Sequence, residues 1–209
     1  MKRKNGFTLT EVLLAVMIVA LIGVALASLT TAASRESSLG NTKILLRNNL
    51  SSALRQIRAD IQDPSTRVVK VYTLPDAVSA FPEGDKFPLL TVVKGESNYK
   101  TYCFKLGGTE ALPHTTSKGN ARSGGNIFTI NRENGNECIT ATPGISRDFL
   151  KNVKFIPDET VYRYPTPLFK HVGGGGIFVR LLLEAPGSQP VANVSTEEVF
   201  FASSEVVEE

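Results

Sequence analysis

Hydrophobic and polar positions divide the chain into three stretches. From Val12 to Leu29, eighteen consecutive residues carry no charge and nearly all are apolar. As a helix rising about 1.5 Å per residue, residues 7–29 reach about 34 Å, enough for a hydrocarbon core of about 30 Å. From residue 30 the pattern turns amphipathic. Leu46, Leu50, Ala53, Leu54, Ile57 and Ile61 return at three- and four-residue spacing, which predicts that the helix continues over 30–62 with one buried face. Arg47, Arg55, Arg58 and Asp60 fall largely off that face. Asp63-Pro64 supplies the stop, because proline lacks an amide hydrogen and restrains the residue before it. Gly23 and Gly40-Asn41 are the expected weak points of this long helix.

Beyond Pro64 the periodicity changes. Residues 67–74, 89–93, 99–106, 127–131, 153–156, 177–184 and 199–202 are rich in β-branched or aromatic side chains and are separated by Pro, Gly, Asn and Ser, the signature of short strands. The expected fold class is therefore α+β: a long N-terminal helix packed on an antiparallel β-sheet in one globular domain over 65–209. Whether the strands form one sheet or two is open at this level. Residues 107–126, with five glycines and His114, are the expected mobile loop, and Cys103 and Cys138 flank it. The closing Glu205-Val206-Val207-Glu208-Glu209 is expected to be a frayed acidic tail.

Charge adds a direction. Lys2, Arg3 and Lys4 precede the apolar run without an acid among them, so the positive-inside rule keeps the start cytoplasmic and sends the rest across the membrane. Glu11 stands at the head of the run. Placing an acidic residue at the centre of a membrane helix costs about 2.5–3.5 kcal/mol, less toward its ends, so such a carboxylate is a functional candidate by default.

The same residues carry a resemblance: Gly6-Phe7-Thr8-Leu9-Thr10-Glu11 resembles the processing motif of type IV prepilins. The resemblance implies a leader of residues 1–6, removed by a membrane-embedded prepilin peptidase between Gly6 and Phe7, and N-methylation of the new amino terminus at Phe7. Glu11 then becomes the fifth residue of the mature chain, where that family keeps a glutamate. Cleavage also creates an ammonium at Phe7. An unpaired ion in such surroundings costs several kcal/mol, so a carboxylate meeting the ammonium of a neighbouring subunit would favour association in register, which makes Glu11 an assembly residue. The competing reading is an ordinary secretory signal cleaved after Ala25-Leu26-Ala27, giving a mature protein that begins at Ser28. A plain one-span anchor is a third.

Within the family, residues 54–62 with Arg67, and the segment 149–155, are similar to pseudopilin J of type II secretion and to the minor pilins called W, whereas pseudopilin K replaces the glutamate that Glu11 retains. The J-like resemblance implies a minor subunit at or near the tip of a periplasmic pseudopilus. It would touch other minor and major (pseudo)pilins through its N-terminal helix and use the prepilin peptidase and an inner-membrane assembly platform, with energy from a cytoplasmic ATPase. A minor pilin of a type IV pilus is the alternative, and an exported soluble enzyme or binding protein the more distant one.

Removing the three leader cations from 23 basic residues leaves 20 against 20 acidic ones, so the basic balance is mostly leader. No basic stripe interleaved with aromatics marks a nucleic-acid surface, although Arg47, Arg55, Arg58, Arg67 and Lys70 could form a local basic patch. Cys103 and Cys138 lack the close pairing of a zinc site. Outside the cytoplasm they are expected to bond to each other, which would stabilise the fold by about 3–4 kcal/mol; two separate buried thiols are the alternative. Gly173-Gly174-Gly175-Gly176 lacks the Lys-Ser/Thr of a phosphate loop, His114 and His171 have no catalytic motif partners, and Glu197-Glu198 with the terminal glutamates lacks the alternating ladder of a calcium site. No enzyme activity, cofactor or metal is expected.

Overall fold

A computed structural model describes residues 8–72, 86–107, 124–132, 138, 146–154, 166–185 and 192–209. The chain divides into two compact units at Asn41–Thr42. One helix, α1 (Leu9–Ile61), passes through that division, and Gly23 and Gly40 both lie within it without a break.

In the first unit the apolar side chains of α1 are exposed, Leu13, Val16 and Leu21 each by more than half, and the helix is long and apolar enough to cross a membrane. Three of its hydroxyls are satisfied within the helix. Ser28, Thr30 and Thr31 each donate to the carbonyl three residues earlier at 2.8–2.9 Å, which removes the cost of carrying unpaired polar groups into an apolar solvent.

In the second unit the last turns of α1 bury Leu46, Leu50, Ala53, Leu54, Ile57 and Ile61, the six positions whose spacing predicts the buried face. Among the described residues nine strands follow, all in one sheet: β1 (Thr66–Val71), β2 (Lys86–Lys94), β3 (Asn98–Leu106), β4 (Gly124–Arg132), β5 (Ser146–Lys154), β6 (Leu168–His171), β7 (Gly176–Glu184), β8 (Asn193–Phe201) and β9 (Glu205–Glu208). From β1 to β5 the ladder is a meander of antiparallel neighbours. β8 covers one edge of β7 along its whole length, so β6 and the end of β5 share the other edge.

The sheet is curled. β8 and β9 stand at its opposite ends, yet only three residues separate Phe201 from Glu205, and so short a segment spans at most about 14 Å. β6 accordingly approaches β1, β2 and β9. Inside the curl, the end of α1 touches strands far apart in the ladder: Asp60 bonds to β2 and β3, while Arg58 pairs with Glu198 of β8. The core lies between this helix and Val69, Val71, Leu90, Val92, Phe104, Ile127, Ile177 and Val179.

Both faces of the central strands are buried. Register puts Tyr102, Lys100 and Leu90 on the helix side and Thr91, Thr101, Cys103 and Phe128 on the other. There the Thr91 and Thr101 hydroxyls bond at 3.0 Å. Cys103, Phe128 and Ile130 form a second small core with Cys138, whose sulfur is bonded to that of Cys103.

Several sequence expectations need correction. Asp60 does not face away from the packed side of α1 but is buried there. The acidic C-terminus is not frayed: Glu205–Glu208 is a strand pairing with β1, and in parallel, so the sheet is not purely antiparallel. Residues 124–126 belong to β4 rather than to a loop, while 108–123, including His114, lie outside the described residues. β5 and β8 start well before the apolar clusters that predict them, and β6 has no counterpart among the predicted strands.

Gly125 makes the approach of β4 to β3 possible. A Cβ built there would stand 2.2 Å from the Lys105 carbonyl and 2.7 Å from the Phe104 ring, and backbone cannot step aside as a flexible side chain can. Gly125→Ala is expected to cost about 2–3 kcal/mol of stability, within the range for overpacked interiors. Gly40→Ala, with nothing within 4 Å, should leave stability unchanged or raised. Denaturant midpoints of the two variants in detergent check both.

Candidate functional site

Two places concentrate chemistry: the start of α1 and its end. At the start, Thr8 precedes the first helical residue and Glu11 sits three positions on. Thr8 N donates to Glu11 Oε2 at 2.9 Å and Thr8 Oγ1 donates to the same oxygen at 3.0 Å. Glu11 N reaches back to Thr8 Oγ1 at 3.4 Å. This is a capping box, in which the Thr8 and Glu11 side chains each accept from the other residue's backbone N–H. Thr8 N and Thr8 Oγ1 both donate to Oε2, and among the described residues Oε1 of Glu11 accepts no bond. Gly6 and Phe7, the expected cleavage and methylation positions, lie outside the described residues.

At the other end of α1 stands a site that the sequence pattern missed. An acid in the last turn is disfavoured by the helix dipole, and that is the signal available in the sequence: such a residue needs cations from elsewhere. Asp60 finds them. Lys94 Nζ donates to its Oδ1 at 3.0 Å, Lys100 Nζ to its Oδ2 at 2.5 Å, and the Tyr102 hydroxyl donates to Oδ2 as well. Lys94 also donates to Asp63 at 2.8 Å, just past the helix. The Asp60 carbonyl accepts from Thr66 Oγ1 at 2.8 Å, fixing the turn into β1.

Burial by itself raises the pKa of the Asp60 carboxyl, but the bonds from Lys100, Tyr102 and Lys94 outweigh it and hold the group below its ordinary value. Burial, followed by the charge and hydrogen bond of Asp60, pushes the Tyr102 hydroxyl well above the usual tyrosine range.

Glu197 pairs with Arg180 at 2.6 Å and Glu198 with Arg58 at 2.9 Å. His171 closes β6 opposite Ile177. Gly173, Gly174 and Gly175 take positive φ in the turn from β6 to β7, where Gly176 N bonds to the Gly173 carbonyl at 2.8 Å. Among the described residues no three His, Cys, Asp or Glu side chains gather as a metal site.

Comparison with protein families places this geometry. The family model described as the prokaryotic N-terminal methylation motif matches residues 1–27, the basic start and all but the last two residues of the apolar run, and this supports a likeness to type IV pilins. Neither the curated proteins nor the solved structures yield a match.

Asp60 gives a pH-dependent prediction. Because its folded-state pKa is depressed, its contribution is complete above the ordinary carboxylate range near pH 4 and declines as pH falls below it, where the unfolded chain takes up the proton first. Asp60→Asn should cost about 2–4 kcal/mol at pH 7, since it leaves the part-buried Lys100 ammonium without its carboxylate and Lys94 with Asp63 alone. That difference should shrink steadily below pH 4, as read from denaturant unfolding of both proteins across pH 2.5–7.

Proposed function

We propose that this chain is a minor pseudopilin, a structural subunit at or near the tip of a type II secretion pseudopilus that helps to start fibre assembly for protein export. The observation that carries the fibre role is the processing motif Gly6-Phe7-Thr8-Leu9-Thr10-Glu11 set directly before a membrane-length helix. Residues 1–6 act as the leader, and prepilin peptidase cuts between Gly6 and Phe7 and methylates Phe7. Residues 7–29 anchor and assemble the subunit, 30–62 continue the helix, and 65–209 form the exported domain, with the N-terminus cytoplasmic before cleavage. The choice of a secretion fibre over a type IV pilus rests on the likeness of residues 54–62 and 149–155 to pseudopilin J.

Glu11 acts in assembly. Consecutive Cα atoms lie about 3.8 Å apart, so the ammonium made at Phe7 begins one residue from the donor that the carboxylate already holds. Oε1 can accept from that amine, or from the amine of a neighbouring subunit, without breaking the cap.

The intact mass of the mature protein should correspond to N-methylated Phe7 as first residue; a chain beginning at Ser28 would overturn the fibre reading. Glu11→Ala should be processed normally yet enter purified fibres about tenfold less, a ratio equivalent to about 1.4 kcal/mol. Deleting the gene should abolish enzyme secretion and leave surface piliation intact, with the reverse pattern favouring a type IV pilus.

A further inference from the structure

A groove runs between α1 and β8 in the second unit. It encloses about 480 Å³ and is lined by Arg47, Ser51, Arg55 and Arg58 of the helix and by Ser195 and Thr196 of the strand, among others. The helical residues follow one another at four-, four- and three-residue spacing, so they form one row along the helix.

The three arginines are not equivalent. Arg58 is occupied: it pairs with Glu198 at 2.9 Å and its guanidinium stands 5.1 Å from the centre of the Phe200 ring. Arg55 donates to Ser51 Oγ at 3.3 Å. Among the described residues neither Arg47 nor Arg55 has a carboxylate partner, although both are exposed beside the groove.

The strand wall supplies the second half of the observation. Register places Ser195 on the same face as Glu197, opposite Leu182 and Arg180, whereas Thr196 belongs to the helix-facing set with Glu198. Adjacent residues of a strand point to opposite faces, so a groove that both of them line must meet the strand at its edge. Among the described residues β8 pairs with β7 alone, which leaves backbone donors and acceptors along that edge without a strand partner.

We infer that this groove docks an extended acidic segment of a neighbouring pilin-like subunit, which adds as a strand to the free edge of β8 and sets carboxylates on Arg47 and Arg55. The occupant is chosen by charge and shape together. Two guanidinium groups without counter-ions among the described residues call for carboxylates, which they bind in bidentate fashion, and a strand edge open among those residues calls for an extended backbone. A nucleic-acid strand fits less well, because it has no backbone amides to pair with the edge of β8. The identity of the partner rests on the fibre reading above; the chemistry of the groove does not.

The probe is an octapeptide of alternating glutamate and threonine, added to the full-length protein in detergent and followed by fluorescence anisotropy and amide hydrogen exchange. It should bind, slow exchange along β8, and weaken with added salt. The same peptide with glutamine for glutamate should bind about tenfold more weakly. Arg47→Ala with Arg55→Ala should cause a similar loss at an unchanged melting midpoint, and Arg47→Lys with Arg55→Lys should recover most of it. No binding, equal binding of the glutamine peptide, or binding without protection of β8 would overturn the proposal, as would tighter binding of oligodeoxythymidylate through the same two arginines. A protein that begins at Phe7 and enters fibres but ignores the peptide sinks the groove alone. One that binds the peptide but begins at Ser28 sinks the fibre reading alone.

Discussion

The fold of the second unit turns on one buried carboxylate. Asp60 lies in the last turn of α1, 7% exposed, and its two oxygens collect a lysine from β2 together with a lysine and a tyrosine from β3. Apolar packing alone leaves a helix free to slide or rotate against a sheet by small amounts, because burial energy has no direction. Hydrogen bonds to a charged group do have direction, and an ion pair taken out of water is costly when its geometry fails. The cluster therefore selects one rotation of the helix. The adjoining bonds from Lys94 to Asp63 and from Thr66 to the Asp60 carbonyl fix where the helix stops and where β1 starts.

From that fixed point the sheet can be followed outward. One end of the ladder holds β8 and the other holds β9, and the three residues between them stitch the curl together. Gln62 donates to the Phe201 carbonyl at 3.4 Å beside the stitch, and Lys70 of β1 pairs with Glu209. Among the described residues the weakest seam is β5 against β7, with a single register pair at Val153 and Leu183. Next to it the Lys154 ammonium meets Glu184, which is almost wholly buried, so an ion pair reinforces the place where ladder bonding is sparse. On the convex side the Cys103–Cys138 bond closes a second small core.

How much of this was legible in the sequence follows from the range of each interaction. The packed face of α1 could be read residue by residue because its period is local and its burial apolar. The processing motif could be read for the same reason, its chemistry being contained in six adjacent residues. Asp60 was misplaced because its partners lie 34 to 42 positions away, and a pattern of apolar residues has no term for an acid buried by distant cations. β9 was misread because glutamates lower strand propensity, while its pairing to β1 is decided by the curl that brings the C-terminus there. β5 carries Arg147, Asp148 and Lys151 with their side chains exposed, and only its last residues look like a strand in isolation. The disulfide was one of two readings, since spacing cannot tell a bond from two buried thiols. The arginine groove was visible only as a basic patch; the strand that makes it a groove comes from more than 130 positions along the chain.

The capping box changes the energetics expected of Glu11. A naked carboxylate at the head of an apolar run carries a cost that only an outside cation could remove, and pairing with a neighbour would then release several kcal/mol. Here the acid is already served by its own Thr8, at the end of the helix where the macrodipole favours negative charge. What a neighbouring amine could still gain is the difference between that state and one in which Oε1 also accepts, about 1.5–3 kcal/mol for a charge-assisted bond before ordering costs. A contribution of that size biases register without locking it. On the proposed fibre reading, a subunit whose acid is already satisfied would not depend on a partner's charge to stay in a membrane, and pairing would add direction to an association driven by helix packing.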